Sequence, residues 1–87
     1  MQVDVELFGI LRARAGTERT TASGDCLGDL LADLASKYPA LAETCINGRT
    51  LRPIYMANLG GRQFVTAPET PLVAGETVLL LSIDAGG

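Results

Sequence analysis

The chain has 87 residues, 47% of them hydrophobic and 20% charged, with a net charge of −3 and no histidine. That length holds one domain whose fold buries roughly 63% of the extended surface, with no separate catalytic module, and its apolar content excludes disorder. The acidic balance disfavours nucleic acid as a partner, runs such as 78–81 are too short to span a membrane, and Met1-Gln2-Val3-Asp4 has no leader pattern, so a soluble, cytoplasmic protein is expected.

From the N-terminus, residues 2–7 alternate polar and apolar, placing Val3, Val5 and Leu7 on one face of a strand and Gln2, Asp4 and Glu6 on the other. A short arm from Gly9 to Gly16, carrying Arg12 and Arg14, leads into a second strand over 17–22, where Thr20 and Thr21 favour extended backbone. The two strands then form a hairpin. Leu27, Leu30, Leu31, Leu34 and Tyr38 recur at the spacing of an apolar helix stripe, which predicts a helix over 26–37. Asp25 or Cys26 caps its start, Asp29 suits the first turn, Lys37 suits the last, and Pro39 stops it. Asp25, Asp29 and Asp33 at four-residue steps read as the solvated face, with a patch for a basic partner as the sharper alternative.

A short helical turn at 41–44 and a polar loop containing Asn47-Gly48 precede a strand at 54–58, a turn at Asn58-Leu59-Gly60-Gly61 and a short strand at 63–66. Pro68 and Pro71 flank an irregular connection, and Ala74-Gly75 turns into a last strand over 76–83. That strand is apolar on both faces, the mark of a central position in a sheet. One main helix against a mixed sheet of four to five strands makes an α+β roll. A single helix covers one face only. Phe8, out of phase with Val3, Val5 and Leu7, and alternate residues of the last strand therefore belong to an uncovered face, where clustered apolar groups suggest docking. The plainer alternative folds Phe8 over the hairpin edge.

Chemistry-bearing residues are scarce. Cys26 and Cys45 supply at most two of the four ligands a structural zinc or iron–sulfur centre needs, so no metal is expected. They read as small buried or half-buried hydrophobes, a disulfide being the other option. No Gly-x-Ser-x-Gly context occurs and no histidine can act as base, which argues against side-chain catalysis. The chain closes Asp84-Ala85-Gly86-Gly87 directly after the last strand. A glycine pair without side chains can thread a narrow channel and present its α-carboxylate to another protein's active site, the alternative being a frayed end.

The strand alternation, Thr-Ala-Ser-Gly-Asp-Cys-Leu-Gly-Asp-Leu-Leu (21–31), Lys-Tyr-Pro-Ala-Leu (37–41), Pro-Leu-Val-Ala-Gly-Glu-Thr-Val (71–78) and Gly86-Gly87 together resemble the MoaD/ThiS family of ubiquitin-like sulfur carriers over essentially the whole chain. The resemblance implies a β-grasp (ubiquitin-like) fold in one domain, residues 1–87, with a flexible tail at 84–87. It implies that an E1-like adenylyltransferase/sulfurtransferase uses ATP to adenylate the Gly87 carboxylate, and that sulfide then displaces AMP. The product is a terminal thiocarboxylate, a covalent modification, with no cofactor bound by the chain itself. By the same resemblance Phe8, Leu81 and Ile83 belong to a partner-docking surface with Arg12 at its rim, and Asp84, Ala85 and Gly86 enter the partner. The implied sulfur acceptor is a PLP-dependent enzyme of cysteine synthase type, or the large subunit of molybdopterin synthase with this chain as the small subunit. Asp84 departs from the family, standing where a proline or apolar residue often precedes the tail, and Ala74-Gly75 replaces a frequent Asp-Gly.

Two other classes compete. Gly24-Asp25-Cys26-Leu27 is similar to the attachment site of acyl carrier proteins, but cysteine replaces the serine that bears phosphopantetheine, and those proteins are helical. A ubiquitin-like modifier conjugated to lysines is the second, since an activated carboxyl can meet an amine in place of sulfide. A β-grasp ferredoxin is excluded by the cysteine count.

Overall fold

The computed structural model describes residues 1–83, so the tail expected at 84–87 lies outside the described residues. The N-terminal alternation produces β1 (Gln2–Leu7), with Val3, Val5 and Leu7 buried. The arm between the first two strands is a helix, α1 (Gly9–Ala15), which corrects the expected simple hairpin connection. Seven residues with Leu11 as the one buried anchor are too few to show a helical period, and the flanking glycines read as turn signals. Gly16 ends α1 at φ 78°, its N–H bonded to the Arg12 carbonyl at 2.9 Å, a left-handed cap that glycine adopts without penalty. The strand pairing itself holds: β2 (Arg19–Ser23) runs antiparallel to β1.

The apolar stripe becomes α2 (Leu27–Lys37), burying Leu27, Leu30, Leu31 and Leu34. Cys26 occupies the N-cap without a side-chain hydrogen bond. Capping comes from far along the chain. The Leu27 and Gly28 N–H groups donate to the Thr70 and Pro68 carbonyls at 2.9 and 2.7 Å, and the Leu72 N–H returns to the Asp25 carbonyl at 3.0 Å. Gly24 is required just before the helix, because a Cβ there would lie 2.6 Å from the Leu30 backbone nitrogen.

The helical turn near 41–44 is α3 (Pro39–Thr44), with proline in its first turn, where the missing N–H costs nothing. Where a polar loop was expected, β3 (Ile46–Asn47) and β4 (Thr50–Leu51) form a small antiparallel pair that buries Ile46. The remaining strands are β5 (Tyr55–Leu59), β6 (Gln63–Val65) and β7 (Val78–Ser82).

The main sheet has five strands in the order β2-β1-β7-β5-β6. As its two-faced apolar run requires, β7 is central, parallel to β1 and antiparallel to β5. Register places Leu80 beside both Leu7 and Ala57, and these join Leu11, Leu34, Leu41 and Ile46 in one core between the sheet and the three described helices.

The acidic stripe is not a plain solvated face. Asp33 Oδ2 accepts the Ser23 N–H at 2.8 Å and lies 3.2 Å from Lys37 Nζ, which also donates to the Thr21 carbonyl at 2.9 Å. Together these two side chains close backbone groups of the edge strand β2 against pairing with another chain. Asp29 pairs with Arg49, and Asp25 lies 3.3 Å from the Met1 ammonium. The Ser23 N–H, then Lys37, hold the Asp33 carboxyl below the usual carboxylate range, and Arg49, then Cys26, do the same for Asp29.

Leu34→Ala should cost about 3 kcal/mol through lost burial and the cavity left behind, read as a lower urea midpoint. Asp33→Ala should lower the midpoint near about pH 7. Because the folded pKa lies below the unfolded value of about 3.9, the Asp33 contribution is complete above that value and disappears as pH falls through the folded one. The gap between native and variant midpoints should therefore narrow as the acid range is entered; a constant gap would refute the assignment.

Candidate functional site

Because consecutive residues of a strand point to opposite faces, the register that buries Val78, Leu80 and Ser82 sends Leu79 and Leu81 to the face without helices. Met56 stands opposite Leu81, Asn58 opposite Leu79, and Phe64 opposite Asn58, so β5 and β6 extend the same surface. Leu79, Leu81 and Met56 are half-buried, whereas the Phe64 side chain is 59% exposed. The Asn58 side chain is shielded between its neighbours, and its Oδ1 has no hydrogen-bond partner among the described residues.

Phe8 lies beyond the end of β1, at the N-cap of α1, yet its N–H still donates to the Leu80 carbonyl at 3.0 Å. The ladder thus continues to Phe8 beside Leu81, and the Phe8 side chain is 41% exposed. Arg12, one turn into α1, shares a shallow hollow of about 130 Å³ with Phe8, Glu6, Glu18 and Arg19, and its guanidinium lies 3.4 Å from Glu18. Ile83 is 54% exposed at the end of the described chain. Phe8 therefore neighbours Leu81 with Arg12 at the margin, Ile83 follows β7 two residues past Leu81, and Asp84, Ala85, Gly86 and Gly87 lie outside the described residues.

Met56, Phe64 and Ile54 were missed by sequence reasoning. The first two fall on this face only through the pairing of β5 with β7 and β6, which alternation within a five-residue or three-residue strand does not reveal. Ile54 adds a backbone feature. Residues 52–55 form a turn closed by the Tyr55 N–H on the Arg52 carbonyl at 3.2 Å, and Ile54 sits in it at φ 73°. For a β-branched residue that conformation costs about 1–2 kcal/mol. The Ile54 carbonyl accepts the Ile83 N–H at 2.7 Å and so ties the end of β7 to this turn.

The face offers contact surface more than chemistry. No nucleophile and base are paired on it, and among the described residues no group of three or more Cys, Asp or Glu side chains is placed to hold a metal. Both cysteines are free. Cys45 is buried in the core, and Cys26 is half-buried at the start of α2, 3.7 Å from the Arg49 guanidinium. No described helix is long and apolar enough to cross a membrane.

No protein-family model matches the chain, and no curated protein matches it by sequence. Solved structures match it along nearly its whole length. The solution structure of small archaeal modifier protein 1 (SAMP1) from Methanosarcina acetivorans is 28% identical, with a TM-score of 0.77 over 99% of this chain and 96% of that one. Mycobacterium tuberculosis CysO, described as an antigen, is 25% identical with a TM-score of 0.75, covering 92% and 97%. A chain of the BexX/CysO complex of Amycolatopsis orientalis is 21% identical with a TM-score of 0.79, covering 98% and 99%. The fold is the β-grasp that the sequence resemblance implied, and these neighbours are ubiquitin-like β-grasp carriers and modifiers of the MoaD/ThiS type.

If the open face is a contact surface and not part of the core, Phe64→Ser should change the unfolding free energy by no more than about 1 kcal/mol in urea titration. A loss as large as that of Leu34→Ala would place Phe64 in the core instead.

Proposed function

We propose that this β-grasp chain is a carrier whose C-terminal Gly86-Gly87 is activated and loaded with sulfur by an E1-like adenylyltransferase/sulfurtransferase. The observation that carries the reading is the likeness to SAMP1 and CysO along nearly the whole chain, combined with a glycine pair four residues beyond the central strand of the sheet.

A carboxylate is a poor electrophile until it gains a leaving group. A Gly87 carboxylate oxygen attacks the α-phosphorus of ATP held by the partner, the bond to pyrophosphate breaks, and an acyl-adenylate forms. Sulfide attacks the acyl carbon, AMP departs, and the terminus becomes a thiocarboxylate whose sulfur is a better nucleophile than the oxygen it replaced. The chain supplies the reacting carboxylate and the grip; ATP and the catalytic groups belong to the partner. Phe8, Leu81 and Ile83 form that grip, Arg12 gives it a polar margin, and Asp84, Ala85 and Gly86 lead Gly87 into the partner's active site. The sulfur passes to a PLP-dependent enzyme of cysteine synthase type, a reading supported by the likeness to CysO, with a molybdopterin synthase large subunit as the alternative acceptor. The likeness to small archaeal modifier protein 1 favours a second reading, in which the same acyl-adenylate passes to lysine amines of other proteins.

The protein purified from the organism that makes it, or incubated with ATP, sulfide and its activating enzyme, should gain about 16 Da as one oxygen is exchanged for sulfur. Deleting Gly86-Gly87 should abolish the gain and leave the thermal midpoint unchanged, because the residues follow the last strand. An unchanged mass under both conditions would overturn the carrier reading. Isopeptide-linked adducts that vanish with the same deletion would establish the modifier reading.

A further inference from the structure

Ile54 occupies a turn position where glycine or asparagine is the ordinary choice. Pro53 stands at the second position of the turn and Ile54 at the third, and φ 73° there is the geometry of a type II turn. Among the described residues Ile54 is the one non-glycine with positive φ. A β-branched side chain is poorly suited to that region. Burial does not compensate, because Ile54 is 49% exposed and stands outside the buried cluster. Asparagine would build the same turn with less strain. The fold by itself gives no reason for isoleucine.

Location supplies one. The Ile54 carbonyl holds the Ile83 N–H at 2.7 Å, which brings two exposed isoleucines together at the end of the face that carries Leu81 and Met56. On the carrier reading, on which this inference rests, the reacting carboxylate belongs to Gly87, four residues past Ile83 and within about 14 Å of extended chain. An enzyme that reaches that carboxylate docks within this short span of Ile83, and so within reach of Ile54, which is bonded to it. We propose that Ile54 is a docking residue: its side chain seats against an apolar rim at the mouth of the enzyme that activates the chain's terminus, and isoleucine persists in an unfavourable backbone conformation for the sake of that contact.

The test compares the native full-length chain with Ile54→Asn and Ile54→Leu, each expressed in the organism that makes the protein and weighed intact for the fraction carrying the added sulfur. Thermal midpoints and hydrogen exchange of the Ile83 amide are measured on all three. Ile54→Asn should keep a midpoint within about 4 °C of native or above it, keep the Ile83 amide protected, and reduce the loaded fraction by about tenfold. Ile54→Leu, which retains an exposed apolar group, should stay within about twofold of native. Equal loading of native and Ile54→Asn would overturn the inference. So would a midpoint about 10 °C lower, which would show that isoleucine stabilises the fold on its own account, and so would a loading defect accompanied by an unprotected Ile83 amide, which would assign the loss to the backbone. A native chain that carries no sulfur sinks the carrier reading together with this inference, whereas a loaded native chain with an equally loaded asparagine variant sinks the inference alone.

Discussion

The pairing of β7 on both of its edges is the constraint around which the chain is arranged. The last strand lies parallel to the first and antiparallel to β5, so everything between β1 and β7 serves as the crossover that a parallel pair demands. With both edges occupied, β7 can differ only in its faces. Val78 and Leu80 close the core under the helices, and Leu79 and Leu81 are left to the opposite side. The same ladder runs on past the strand ends, through the Phe8 N–H on Leu80 and the Ile83 N–H on Ile54, and so sets where the chain leaves the sheet.

What could be read in advance follows from the length of each periodic signal. The six-residue alternation of β1, the five-point stripe of α2 and the two-faced run of β7 each repeat often enough to be recognised, and together they require an α+β roll. Seven residues of α1 with one buried leucine do not, and two-residue β3 and β4 carry no period at all. Capping of α2 was invisible for a different reason. Its acceptors are the backbone carbonyls of Pro68 and Thr70, which any residue type could provide, some forty positions away in the chain. On the open face, phase marked Phe8 and unspecified alternate residues of the last strand, and Leu81 was singled out among these by the family resemblance. Met56 and Phe64 needed the register between strands, and Ile54 sat where turn chemistry would have called for glycine.

The two sides of the sheet are thus unlike in kind. One is filled by leucines from three helices. The other mixes half-buried aliphatic groups with two exposed aromatic rings and ends at a strained turn, a composition suited to recognition. The acidic groups of α2 belong to neither surface. Asp33 clasps β2 and Asp29 pairs with Arg49, which explains how a stripe that looks solvated in the sequence can hold these two carboxyls below their usual range.

That clasp has a chemical corollary. Lys37 is the sole lysine of the chain, and its ammonium is engaged by Asp33 and by the Thr21 carbonyl, while the terminal ammonium of Met1 lies against Asp25. Replacing Lys37 would therefore release the Asp33 carboxylate and the Thr21 carbonyl together and open the outer rim of the sheet to a strand from another copy.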